Sequence, residues 1–287
     1  MRVSLEENMS YKIIVDSCGE LTEEMKQSGK FETVPLSIEL DDRHIIDDES
    51  FDQKEFLKQI SESAGYPKSS CPSPERFKEA YHCEQERIYV VTLSAELSGT
   101  YNSAMLGHDL YVEEHGEKDI YVFNSRSASV GETLIALKIM QCEQENMSFK
   151  EVIDTVEAYI AEQNTYFVLE TIEILKKSGR LTGAKALVAT ALNIKPILGS
   201  TVNGTIAQLG KARGINKALP KMIDQLVKEA KHTENKILAI AHCNCLERAK
   251  MVKNIIESQI KIKDVIILNT RGISTMYANQ GGIIVVV

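Results

Sequence analysis

Hydroxyl side chains gather at a few points along this chain where they could take part in chemistry. The densest is Leu93-Ser94-Ala95-Glu96-Leu97-Ser98-Gly99-Thr100-Tyr101-Asn102, between an apolar run and a helix-like stretch. A helix N-terminus leaves backbone N–H groups unpaired and carries about half a positive charge, so Ser98 and the Gly99 N–H there suit an anion. Ser98 could equally serve only as the cap of its helix. A second group is Lys68-Ser69-Ser70-Cys71-Pro72-Ser73, in which Ser69 and Ser70 are free donors and Ser73 is committed to capping the helix begun by Pro74. Asp16-Ser17 closes the first apolar run, where Asp16 either faces a ligand or caps a turn, and Asn124 to Gly131 supplies a further hydroxyl-rich stretch expected to cap the next helix. Arg180 is the candidate charged partner, since a guanidinium can grip a carboxylate through two bonds, although an exposed arginine is the competing reading. Neutral donors with few cations describe a site for a carboxylate or a phosphate.

Strand-like and helix-like segments alternate in a way that can bring these groups together. Tyr11 to Val15, Thr33 to Leu40, Ile88 to Leu93 and Ile120 to Phe123 read as strands, separated by helices that include Phe51 to Ser61 and Asn102 to Val112. The near-continuous apolar character of Ile88 to Leu93 predicts burial on both faces, as in a parallel sheet. In a doubly wound sheet the carboxyl ends of strands face the ligand crevice, which is where the hydroxyl stretches fall. Residues 1–162 are therefore expected to form one parallel α/β domain, and residues 163–287 a second α/β domain with a mixed sheet. Antiparallel pairing in the second follows from Asn203-Gly204 between two apolar runs, a hairpin signal. The apolar helix expected at Ala184 to Leu192 is either core or, with Ala186, Leu187, Leu192 and Ile194, the lining of a tunnel.

Bulk properties narrow the classes of function. The 287 residues are 43% hydrophobic and 26% charged, the composition of an ordinary globular chain. A net charge of -8 without a basic cluster disfavours nucleic acid. No apolar run reaches the roughly 18 residues of a membrane span, and Met1 to Ser10 lacks the apolar centre of a signal peptide, so a cytoplasmic location is expected. The six cysteines are scattered, as for reduced thiols. His242-Cys243-Asn244-Cys245 lacks a second ligand pair at zinc-finger spacing, so no metal is expected.

The segments IIVDS (Ile13 to Ser17), SSCPS (Ser69 to Ser73), LSAELSGTYNSA (Leu93 to Ala104), SGRLTGAKAL (Ser178 to Leu187), NIKPIL (Asn193 to Leu198) and KARG (Lys211 to Gly214) together resemble the DegV family, which includes the fatty-acid-binding subunits of bacterial fatty acid kinase. The similarity runs from Tyr11 onward. It implies an N-terminal Rossmann-like domain against a C-terminal α/β domain, a long-chain fatty acid in an interdomain tunnel, no further cofactor, and a carboxylate presented to the ATP-binding subunit of a kinase. By the same resemblance Ser69, Ser70 and Ser98 bind the carboxylate, and Arg180 lies near the head group. Ser69 stands where the family usually has Thr, and Cys71 where it has Gln. The His-x-Gly-Pro-Gly segment of many members is replaced here by Arg271 to Gly282, in which Ser274 or Thr275 is the candidate stand-in donor.

Such a protein would be a binding subunit and not an enzyme. One rival is a serine-dependent acyl hydrolase with Ser98 as nucleophile. Ser98 is outside a Gly-x-Ser-x-Gly elbow, and none of the six histidines pairs with it in sequence. A carrier of another amphipathic anion is the other rival.

Overall fold

The computed structural model describes residues 11–181 and 193–287. In chain order they form β1 (Tyr11–Asp16), α1 (Glu23–Gln27), β2 (Phe31–Val34), β3 (Ser37–Leu40), β4 (Arg43–Ile46), α2 (Gln53–Glu62), β5 (Lys68–Ser70), α3 (Pro74–Tyr81), β6 (Arg87–Thr92), α4 (Thr100–His115), β7 (Asp119–Asn124), α5 (Val130–Gln144) and α6 (Phe149–Glu162). There follow β8 (Thr165–Val168), α7 (Glu173–Lys177), β9 (Ile194–Ser200), β10 (Ile206–Arg213), α8 (Ile215–Glu229), β11 (Ile237–His242), α9 (Leu246–Glu257), β12 (Asp264–Asn269), α10 (Gly272–Ala278) and β13 (Ile283–Val286).

Every residue of β6 is buried, which is why its sequence shows no alternation. It lies inside a four-stranded parallel sheet of order β2-β1-β6-β7. Ile14, Ile88, Val90 and Val122 face Phe77, Tyr81 and Ala104 of α3 and α4, while Ile13, Val15, Tyr89 and Val91 face Ile135, Ile139, Val152 and Val156 of α5 and α6. Strand order reverses between β1 and β6. Asp16 bridges that point, accepting from the Leu93 N–H at 2.7 Å and from the Cys18 N–H at 2.9 Å.

The second sheet is mixed and has six strands in the order β10-β9-β8-β13-β11-β12. β9 and β10 form the expected antiparallel hairpin, β13 runs antiparallel to both neighbours, and β11 and β12 are parallel. One face is covered by α8 and α9 through Leu219, Met222, Leu226, Val252 and Ile256. On the other, Val130 and Leu134 of α5 pack against Ala239, Ala241 and Val286. α5 therefore lies between the two sheets, and burial of every residue from Val130 to Ala136 accounts for the lack of a polar face there.

The single strand expected over Thr33 to Leu40 is instead two. Pro35 has no N–H for a ladder; the chain leaves the parallel sheet at Val34 and starts β3 in a separate three-stranded antiparallel sheet, β4-β3-β5. β5, which read as a hydroxyl-rich loop, is the third strand of that sheet. The helix expected at Ala184 to Leu192 lies outside the described residues.

A cavity with a polar rim as the candidate functional site

Between the carboxyl ends of the parallel strands and the second sheet lies a cavity of about 860 Å³, part of it open to solvent. Its walls are mostly apolar and come from separate elements: Leu36, Leu93 and Leu97 from the first half, Phe167 and Leu169 beside β8, Ile273 and Ala278 from α10.

The polar side chains in its lining include Ser69, Ser98, Arg180, Ser274 and Tyr277. Ser69 sits on β5 opposite Ile38, and its hydroxyl is 3.0 Å from the Tyr277 hydroxyl on α10. Ser98 precedes α4; its oxygen accepts from the Thr100 N–H at 3.3 Å and lies 2.9 Å from the Thr100 hydroxyl. Gly99 takes the N-cap position with no side chain to offer, so the first turn of α4 keeps unpaired N–H groups near Ser98. Arg180 reaches the cavity because Gly179, at φ 75°, turns the chain back after α7. Its Nε donates to the Leu97 carbonyl at 3.2 Å and its Nη1 to the Ser178 carbonyl at 2.6 Å, which holds the guanidinium against the rim.

α10 carries Ser274 and Tyr277 and is itself pinned by Asp47. The Gly272 and Ile273 N–H groups both donate to that carboxylate at 2.8 Å. A Cβ at Gly272 would collide with the Asp47 carboxyl group, so the pinning needs glycine. Ser274 donates to the Cys18 carbonyl at 2.9 Å.

Behind Cys18, Ser129 and Ser274 lies a layer of buried acids. Asp16, Glu20 and Glu132 are all nearly inaccessible, and the side-chain ligand atoms of Asp16, Cys18 and Glu132 lie within 4.8 Å of one another. Burial pushes Asp16 up to about 7 despite the two N–H groups it accepts from. Glu20 is also raised to about 7 by burial, against the Ser129 hydroxyl, which donates to it at 2.7 Å. Glu132 is pushed well above the usual carboxylate range, first by burial and then by the neighbouring Asp16 charge. Apart from Asp16 and Cys18, which its carboxyl adjoins, Glu132 has no partner among the described residues. A protonated Glu132 donating to Asp16 satisfies both groups.

The residues singled out from sequence are thus distributed unevenly. Ser69, Ser98, Arg180 and Ser274 line one cavity. Ser70 is exposed at the end of β5, and Gly99 is exposed beside Cys71. Thr275 is buried behind the wall, bonded to the Thr270 hydroxyl at 2.8 Å and to Gln53 at 3.0 Å. Ile194 opens β9, opposite Arg213, while the cavity-lining residues of that strand are Gly199 and Ser200 at its other end. Ala186, Leu187 and Leu192 lie outside the described residues. Ser73 caps α3 as expected. Ser129 occupies the N-cap position of α5, but its hydroxyl turns to Glu20 and makes no cap bond. Tyr277 was missed, as was the acid layer; a lone Glu inside Val-Gly-Glu-Thr-Leu-Ile-Ala-Leu was the available signal for the latter.

Two packed α/β layers enclosing an apolar cavity with a hydroxyl and guanidinium rim define a class of protein built around an internal ligand site. Within that class the assignment is specific. The DegV family model, described as an uncharacterised protein family, matches residues 10–287, and the chain belongs to the DegV family. A crystal structure of a DegV family protein from Ruminococcus gnavus ATCC 29149 with vaccenic acid is 62% identical, covers 97% of this chain and 100% of its own, and superposes with a TM-score of 0.95. The Streptococcus pneumoniae Fatty Acid Kinase (Fak) B3 protein, loaded with linoleic acid, is 31% identical over 97% of this chain and 99% of its own, with a TM-score of 0.86. A DegV domain-containing protein of Streptococcus pneumoniae strain R6 is 32% identical over 278 residues, 96% of this chain and 98% of that protein.

Proposed function

We propose that this protein holds a long-chain fatty acid in the cavity, carboxylate toward Ser69, Ser98 and Arg180, and presents that group to a separate ATP-binding kinase subunit for acyl-phosphate formation. The observation that carries the reading is that Ser69, Ser98, Arg180, Ser274 and Tyr277 all line one mostly apolar cavity. Similarity to proteins crystallised with vaccenic and linoleic acids supports the ligand class. Similarity to the Fak B3 protein supports the kinase.

The energetics divide the labour between tail and head. Burying an aliphatic chain is worth about 0.8 kcal/mol per methylene, so the tail supplies affinity. A carboxylate leaving water loses several kcal/mol unless donors replace its hydration, so the rim fixes orientation. Burial keeps the acids behind the wall protonated up to about neutral pH, which spares a bound carboxylate their repulsion. The work of the protein is then binding and presentation in the cytoplasm, where no catalytic step of its own is required. Against the hydrolase alternative, no histidine is among the cavity-lining residues described, so Ser98 has no imidazole base there.

Mass spectrometry of ligand released from protein purified without delipidation tests the reading. A free long-chain fatty acid is expected, and an ester or a phospholipid head group would refute it. Kinase coupling is tested by adding ATP and a fatty acid kinase ATP-binding subunit to the loaded protein and trapping acyl phosphate with hydroxylamine. No hydroxamate from a loaded and folded protein removes the kinase from the proposal.

A further inference from the structure

The cavity is polar at a second place, at the start of β8. On β8 and the residue after it, Thr165, Phe167 and Leu169 all line the cavity, as residues two apart on one strand face must. Leu169 packs with Leu97, Leu175 and Tyr277, beside the rim. Thr165 lies four residues away, about 13 Å along the strand. Around it the wall is no longer apolar: Ser127, Ser200, Thr205 and Arg126 complete that end.

These hydroxyls do not exhaust one another. Ser127 and Thr165 share one bond of 2.6 Å between two hydroxyls, which leaves one proton of the pair to give elsewhere. Ser200 accepts from the Thr165 N–H at 3.3 Å, and its own proton has no acceptor among the described residues. The Thr205 and Thr201 hydroxyls share a bond of 2.8 Å, and the Thr201 oxygen also accepts from the Thr205 N–H at 3.2 Å. Arg126 is held at the edge, its Nη2 3.9 Å from Glu157, with 40% of its side chain exposed. The turn at Gly204 closes over this end: the Ser94 hydroxyl donates to the Gly204 carbonyl at 2.8 Å, and Gly204 adopts φ 87°. Hydroxyls with bonding capacity to spare, Ser200 first among them, suit this end to an oxygen-bearing group and suit it poorly to a bare methyl group.

We propose that this far end is a second recognition point, and that the ligands of this protein include long-chain acids carrying an oxygen near the tail terminus, as hydroxyl, keto or carboxyl. The proposal rests on the reading that the head group sits at Ser69, Ser98 and Arg180. A chain lying along Leu169 and Phe167 then delivers its distal carbons to Thr165, Ser200 and Thr205. An apolar tail pocket discriminates against a terminal hydroxyl by the price of leaving it unpaired, about 1–3 kcal/mol or roughly 5- to 150-fold. The hydroxyls of Ser200 and Thr205 remove that discrimination.

The experiment uses the delipidated full chain and isothermal titration with palmitic acid, ω-hydroxypalmitic acid and the matching α,ω-diacid. The ratio of dissociation constants, oxygenated over plain, is read within each protein. For the wild-type chain the ratio is expected to be about three or less, rising by about tenfold in the double variant Ser200→Ala and Thr205→Val. A wild-type ratio of about ten or more overturns the inference, as does a ratio unmoved by the double substitution. Should the double variant fail to fold by circular dichroism, the wild-type ratio decides alone. Failure of the wild-type chain to bind palmitic acid at all would instead sink the fatty-acid reading itself.

Discussion

Replacing Glu132 with Gln should stabilise this protein at neutral and alkaline pH, although it alters a fully buried residue. Glu132 lies in the first turn of α5, inaccessible, beside Asp16 and Cys18. Burial and the Asp16 charge keep it protonated in the folded chain, whereas in the unfolded chain it ionises near its ordinary value of 4.5. A folded-state proton affinity above the unfolded one gives stability that is whole at low pH and lost as pH rises. The loss is about 1.4 kcal/mol for each pH unit above 4.5 over the range in which the folded group keeps its proton and the unfolded one does not. Glutamine has the same shape, never ionises, and its amide can donate to Asp16 as the acid does. Urea unfolding at about pH 5, 6, 7 and 8 should show wild type and variant nearly equal at the acid end and the variant increasingly the more stable toward the alkaline end. Asp16 and Glu20, raised from 3.8 and 4.5 to about 7, add a fall in stability from about pH 4 to about pH 7 in both proteins. Parallel pH profiles, or a variant less stable throughout, would show that Glu132 is not held as a neutral acid.

Other substitutions probe separate parts of the argument. Ser98→Ala should weaken fatty-acid binding by about 1–3 kcal/mol in titration while leaving the unfolding midpoint nearly unchanged; unaltered affinity would take Ser98 out of the site. Glu143→Gln removes the carboxylate facing the buried Arg87 guanidinium at 3.2 Å, which the Tyr89 hydroxyl also contacts, and should cost about 3–5 kcal/mol by urea unfolding. Gly204→Ala forces a Cβ against the Ser94 hydroxyl and to 2.8 Å from the Arg126 Cα at a positive φ, so a loss of about 1–3 kcal/mol is expected in thermal unfolding.

What could be read from residues alone depended on how local the physics was. The parallel strands β1, β6 and β7 and the Asn203-Gly204 hairpin announce themselves through apolar runs and turn chemistry that act within a few residues. Ser69, Ser98 and Arg180 each sit in a short motif that could be singled out in the sequence, and all three line the cavity. β5 was not, because three polar residues make a strand only when β3 pairs with them. α10 was hidden for a similar reason: Gly272–Ala278 is too short for periodicity, and its N-terminus is pinned by a carboxylate 225 positions earlier in the chain. Tyr277 could not be placed without α10. The acids Asp16, Glu20 and Glu132 are far apart in sequence and become one group only where β1, α1 and α5 close on each other.

The position of β13 bears on how the molecule is made. It is the last described strand, yet it fills the gap between β8 and β11, so the six-stranded sheet cannot be joined until it arrives. During synthesis the β8-β9-β10 meander and the β11-β12 pair must wait as two fragments, each with an open inner edge of unpaired backbone. Ile284, on that same strand, lines the cavity beside Phe167. A chain without β13 therefore lacks one wall of the cavity.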